Sequence, residues 1–151
     1  MGIDAMTKKV LVIHGPNLNM LGKREPEQYG TSTLDEINMD LKNHGQEIGL
    51  EVDFFQSNHE GAIVEKIQES RDAYAGLIIN PAGYSHSSVA IRDAILLLNV
   101  PVIEIHLSNI YKREAFRHHS LLSDVVFGQI TGFGAQGYIM ALDAIVGLIN
   151  Q

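Results

Sequence analysis

Five short runs of Val, Ile, Leu and Phe, at residues 10–14, 52–56, 77–80, 102–106 and 125–130, constrain this chain more than any other feature, because helix-length segments separate most of them. Runs that are apolar on both faces belong to strands covered from two sides, the situation of a parallel sheet whose crossovers are helices. The intervening segments have the right pattern. Residues 33–49 open with Thr33 and Glu36 at capping-box spacing and set Leu34, Ile37, Leu41 and Ile48 on one face. Residues 60–74 repeat the pattern with Ile63, Val64 and Ile67, and 88–98 with Val89, Ala90, Ala94 and Leu97; 137–149 close the chain as an apolar helix. This order predicts the α/β class, a flavodoxin-like three-layer sandwich around a five-stranded parallel sheet.

At 151 residues the chain has the length of one domain. Residues 1–8 read as a leader, partly disordered, with Met6 as the native start, and 9–151 as a single domain. Eleven Lys and Arg against eighteen Asp and Glu leave a formal charge of −7, which argues against a broad nucleic-acid footprint but leaves room for one cationic pocket. The absence of Cys removes disulfides, thiolate metal sites and cysteine nucleophiles. No apolar run approaches the ~18 residues of a membrane span, and MGIDAMTKKV lacks the apolar stretch of a signal peptide. The expected location is the cytoplasm, with no membrane or nucleic-acid partner.

In such a fold, chemistry belongs in the crevice outside the carboxyl ends of the strands. Three strands deliver polar residues there: the first runs into His14, Gly15, Pro16 and Asn17, the third ends at Asn80, and the fourth carries Glu104, His106, Ser108 and Asn109. Other motifs fail on context. Residues 132–137, GFGAQG, match a dinucleotide fingerprint, but too little chain follows for the βαβ unit and ribose-binding acid it requires, so the glycines read as a tight turn near the sheet edge. Residues 83–87, GYSHS, lack the last Gly of a nucleophile elbow. The seven His form no metal-ligand spacing; His118 and His119 diverge on a helix, and His44 and His59 read as solvated helix-end residues. Neither metal nor cofactor is expected. A receiver domain would want acids where His14 and Asn80 stand, and a flavodoxin would want a Ser/Thr/Gly-rich phosphate loop in place of HGPNLNM.

Two segments hold candidate chemistry. Residues 14–30, HGPNLNMLGKREPEQYG, are long for a connection and place Lys23, Arg24 and Tyr29 between Gly22 and Gly30, the pattern of a hinged flap; a disordered basic loop with a surface tyrosine is the alternative. On the fourth strand, period 2 puts Glu104 and His106 on one face, where a carboxylate would fix the imidazole's tautomer and raise its pKa. A structural ion pair satisfies the same spacing.

Four blocks, HGPNLNMLGKREPEQYG, NPAGYSHSSVAIRDA, PVIEIHLSNIYKREAFRHHS and GFGAQGY, closely resemble the type II dehydroquinases, the small 3-dehydroquinate dehydratases of the shikimate pathway. The resemblance spans the chain from Val10 to the last helix. It implies an anti elimination of water from 3-dehydroquinate through an enolate, without a cofactor, in the biosynthesis of aromatic amino acids or in the degradation of quinate. In that pattern Tyr29 abstracts the proton beside the ketone, aided by a cation, Arg24, because a free tyrosine titrates near ~10. Asn17 stabilises the enolate through a held water, and His106, oriented by Glu104, protonates the leaving hydroxyl. Asn80, His86, Asp93, Leu107, Ser108 and Arg117 bind substrate. His86 and Asp93, seven residues apart, are expected on one helix face, and Asp93 reaches a neighbouring subunit of a homododecamer built from four trimers. Lys23, on the flap, lacks the buried pocket of a Schiff-base lysine. Competing readings are a non-catalytic binding module of the same fold and a nucleotide or flavin oxidoreductase.

Overall fold

The computed structural model describes residues 7–23 and 25–151. Its strands are β1 (Lys8–His14), β2 (Leu50–Gln56), β3 (Gly76–Asn80), β4 (Val102–His106) and β5 (Gly128–Thr131). Its helices are α1 (Pro26–Tyr29), α2 (Leu34–Glu47), α3 (Glu60–Ser70), α4 (Val89–Ile95) and α5 (Gln136–Ile149). The strands form one parallel sheet in the order β2-β1-β3-β4-β5. The α/β sandwich expected from the alternation of elements is therefore the observed fold.

The sheet explains why its strands are apolar on both faces. Val10, Val12, Ile78, Ile103 and Ile105 point to one side and pack with Ile37 and Leu41 of α2 and Leu142 and Ile145 of α5. Their neighbours Leu11, Ile13, Leu77, Ile79 and Val102 point to the other, against Ile63 and Ile67 of α3 and Ile91, Ala94 and Ile95 of α4. Alternation along each strand thus feeds two cores instead of a core and solvent.

Local chemistry sets the boundaries. Thr33 and Glu36 close the capping box at the start of α2. The Ser70 hydroxyl donates to the Ile67 carbonyl at 2.7 Å, and α3 ends there, four residues before the expected 74. β5 starts at Gly128 instead of 125, because Val125 and Val126 sit in a turn and reach the core as partly buried side chains. β1 opens at Lys8, one residue inside the expected leader; residues 1–6 lie outside the described residues. The expectation that His86 and Asp93 share a helix is wrong. Ser88 caps α4, accepting from the Ile91 N–H, so Asp93 lies on α4 while His86 belongs to the preceding 3-10 turn, Ala82–His86.

Candidate active site

At the carboxyl edge of the sheet, β1 and β3 are fastened together. The Gly15 N–H donates to the Asn80 carbonyl at 2.8 Å, and a Cβ on Gly15 would stand 2.7 Å from the carbonyl carbon and oxygen of Pro81. Only glycine permits that approach. Beside this junction lies a cavity of about 170 Å³. Pro16, Asn17 and Leu18 bound it from the end of β1, Asn80, Ala82, Gly83 and His86 from β3 and the turn after it, and His106, Leu107 and Ser108 from β4. Tyr29, Arg113 and Arg117 complete the lining.

The β4 wall is fixed by buried hydrogen bonds. Glu104 and His106 do share a face: His106 Nε2 donates to Glu104 Oε2 at 2.6 Å. The Ser120 hydroxyl donates to the same oxygen at 2.8 Å, and Gln129 Nε2 to Oε1 at 2.8 Å. Burial alone would raise the Glu104 carboxyl, but the His106 hydrogen bond and charge, with those from Ser120 and Gln129, outweigh it and hold the carboxyl below its usual range. The His86 ring stacks on that of His106, centroids 6.2 Å apart, and its Nδ1–H donates to the His119 carbonyl at 3.0 Å. Burial lowers the His86 pKa; the carbonyl acts against it, while the His106 and Arg117 charges add to it.

Tyr29, which ends α1, borders the cavity from a part of the chain with Gly22 before it and Gly30 after it. Both glycines have left-handed backbone, φ +86° and +80°. Arg113 stands over the Tyr29 ring, its guanidinium carbon 5.1 Å from the centroid, and donates through Nη1 to the Ser108 hydroxyl at 3.3 Å. Arg24, the cation expected beside Tyr29, lies outside the described residues.

Most of the residues predicted from sequence thus border one cavity: Asn17, Tyr29, Asn80, His86, His106, Leu107, Ser108 and Arg117. Glu104 supports it from beneath. Asp93 is exposed on α4 and is not among the lining residues. Arg113 escaped sequence reasoning, although its strong basicity beside the β4 end was a signal. His44 was expected in solvent; it is half-buried, and its Nε2 meets Asp143 Oδ1 at 2.6 Å. The glycine turn behaves as expected, with the Gly132 and Gly134 N–H groups donating to the His106 and Leu107 carbonyls. Among the described residues no cluster of three or more His, Asp or Glu is placed to hold a metal ion. A larger groove, about 900 Å³, runs along the edge strand β2 and contains none of these residues.

Residues 8–146 match the family model described as dehydroquinase class II. A protein of Halothermothrix orenii named 3-dehydroquinate dehydratase is 52% identical over 143 residues, 95% of this chain and 97% of its own. One of the same name from Bordetella avium is 56% identical over 138 residues, 91% and 96% of the two chains. The crystal structure of type II dehydroquinase from Propionibacterium acnes superposes with a TM-score of 0.91 at 44% identity, covering 95% of this chain and 99% of that one.

Proposed function

The chain belongs to the class II dehydroquinases, and from that premise we propose that it eliminates water from 3-dehydroquinate with Tyr29 as base and His106 as acid. One observation carries this reading: the phenol and the imidazole, from separate parts of the chain, border one small cavity. A phenolate on Tyr29 takes the proton from the carbon beside the ketone, and the electron pair left behind becomes an enolate. Asn17, at the mouth of β1, holds a water against that negative charge. As the enolate collapses, the carbon–oxygen bond breaks and the departing hydroxyl takes a proton from His106, leaving as water and giving the conjugated enone 3-dehydroshikimate. The cycle closes when the Tyr29 proton returns to His106 through solvent.

Each partner of the pair has support. Glu104 accepts from Nε2–H, which leaves Nδ1 as the nitrogen that delivers the proton, while the carboxylate balances the imidazolium. Arg113 lies where its charge pairs with a phenolate on Tyr29, sharing the role assigned to Arg24. Asn80, Arg117 and the backbone at Leu107 and Ser108 supply donors for the substrate's hydroxyls and carboxylate, and His86, its Nδ1–H committed to the His119 carbonyl, offers Nε2 as an acceptor for a hydroxyl. The reaction needs no cofactor. Asp93 serves a neighbouring subunit in a dodecamer of four trimers, a role supported by exposed Val89, Leu96 and Leu97 around it, and light scattering measures that assembly. Residues 9–151 act as the catalytic domain, in the cytoplasm.

The test is ultraviolet absorbance of the enone on mixing purified protein with 3-dehydroquinate; Tyr29→Phe abolishes the signal, and an unaltered rate removes Tyr29 as base. Borohydride added during turnover traps no adduct, whereas labelling of Lys23 would replace this mechanism with a Schiff base.

A further inference from the structure

Behind the cavity, a file of buried polar groups runs from the pocket lining to helix α2, and the elimination chemistry uses none of it beyond its first member. The Asn80 carboxamide accepts the Ala82 N–H on Oδ1 at 3.1 Å and donates through Nδ2 to the Tyr138 hydroxyl at 3.1 Å. Tyr138 lies 2.9 Å from His14 Nδ1, and His14 Nε2 lies 2.8 Å from Asn38 Oδ1. His14 and Tyr138 are fully buried, on β1 and α5.

The direction of every bond follows from the first. A backbone N–H can only donate, so the Ala82 contact fixes the carboxamide with its oxygen toward Ala82 and its nitrogen toward Tyr138. The phenol accepts that N–H. Its own hydrogen then goes to His14 Nδ1, because Asn80 Nδ2 is itself a donor. A neutral imidazole whose Nδ1 accepts carries its hydrogen on Nε2, where Asn38 Oδ1 receives it. Among the described residues no buried side-chain nitrogen or oxygen lacks a partner. A second proton on His14 would face the phenol's hydrogen and break the sequence of donors. Burial independently lowers the His14 pKa to about 4, the Asn38 bond opposing it, so the ring is neutral at physiological pH.

We propose that this one-way file, Asn38–His14–Tyr138–Asn80, sets the orientation of the Asn80 carboxamide toward substrate, making Tyr138 and His14 positioning residues of the reaction. The inference rests on Asn80 as a substrate contact. Position matters there because Ala82, which holds the carboxamide oxygen, has a left-handed backbone (φ +51°) at the pocket rim. Without Tyr138 the carboxamide is restrained from that side alone.

A double-mutant cycle tests it, with KM and kcat measured for Tyr138→Phe, Asn80→Ala and the pair. Tyr138→Phe is expected to raise KM several-fold with kcat within about twofold, and to change nothing further when Asn80 is already Ala. Equal KM changes in both backgrounds, or none in either, would overturn the positioning role. If Asn80→Ala leaves KM unaltered, Asn80 as a substrate contact fails, and the positioning role with it. Nitrogen-15 spectra of His14 read the file without activity: Nδ1 bare and Nε2 protonated is the expected tautomer, and the reverse refutes the direction argued. Should Tyr138→Phe not fold, His14→Leu replaces it in the cycle. Its partner control is His14→Asn, whose amide oxygen can stand near the place of Nδ1 and is expected to keep KM close to that of the unaltered enzyme; identical behaviour of the two variants would count against the file.

Discussion

Tyr29 and His106 border the same cavity on supports of opposite kinds. His106 ends a central strand, its partner Glu104 is fully buried, and three side chains hold that carboxylate. Tyr29 ends a single helical turn, and the segment around it is bounded by two left-handed glycines. The His106 side is held by a buried hydrogen-bond network, whereas Tyr29 stands on a short turn with a positive-φ glycine on either side. Under the roles proposed above, the acid stands on the firmly held wall and the base on the short turn.

The comparison breaks most sharply at the two side chains themselves. Tyr29→Phe and His106→Ala should each lower kcat by about 10²- to 10⁴-fold, the range of a positioned acid or base. Steady-state enone formation measures both, and a loss below tenfold for either would leave its wall without a chemical role. Next comes the buried file behind the fixed wall. The folded-state pKa of His14 lies near 4 against 6.5 for a free imidazole, so between those values the unfolded chain binds a proton that the folded protein refuses. Stability is therefore full above pH 6.5 and falls as pH drops toward 4, by up to about 3 kcal/mol. Urea denaturation across pH should show that slope, and His14→Asn should flatten its upper part, where carboxylates such as Glu104 do not yet titrate.

A smaller effect is expected from Glu104→Gln, which keeps the shape but loses the charge that orients His106. The expected loss in kcat is on the order of tenfold, since orientation is one part of a general acid's contribution. The smallest effect tests the short turn alone. Gly30 has open space where a Cβ would go, so Gly30→Ala changes only backbone preference. With φ +80° and an extended ψ of −176°, a conformation that essentially only glycine adopts, it should cost about 1–3 kcal/mol in stability and a few-fold in kcat, with the slope of stability against pH untouched.

The same contrast decides what was readable in the sequence. The fixed wall follows simple periods: apolar alternation gave away β4, and spacing of two put Glu104 beside His106. The parallel order of elements also placed His14, Asn17 and Asn80 at one sheet edge before any coordinates. What escaped was contact between segments distant in the chain. Arg113 reaches Tyr29 from a loop after β4, and Tyr138 meets His14 across 124 positions, so no local spacing encodes either. The reading of His86 and Asp93 as helix neighbours failed because Ser88 competes for the start of α4, a cap that outweighs a seven-residue spacing. His44 was misplaced for a similar reason, its partner Asp143 lying on a helix ninety-nine residues away.

Gly15 gives the fixed wall a gauge. With Pro81 2.7 Å from where its first side-chain carbon would be, a single methyl there would act as a wedge between two main chains, not as a decoration on one. The strand ends it would part carry the mouth at Asn17 on one side and the floor at Asn80 on the other. The spacing of the two main chains at this edge of the cavity is consequently set by an omitted carbon atom.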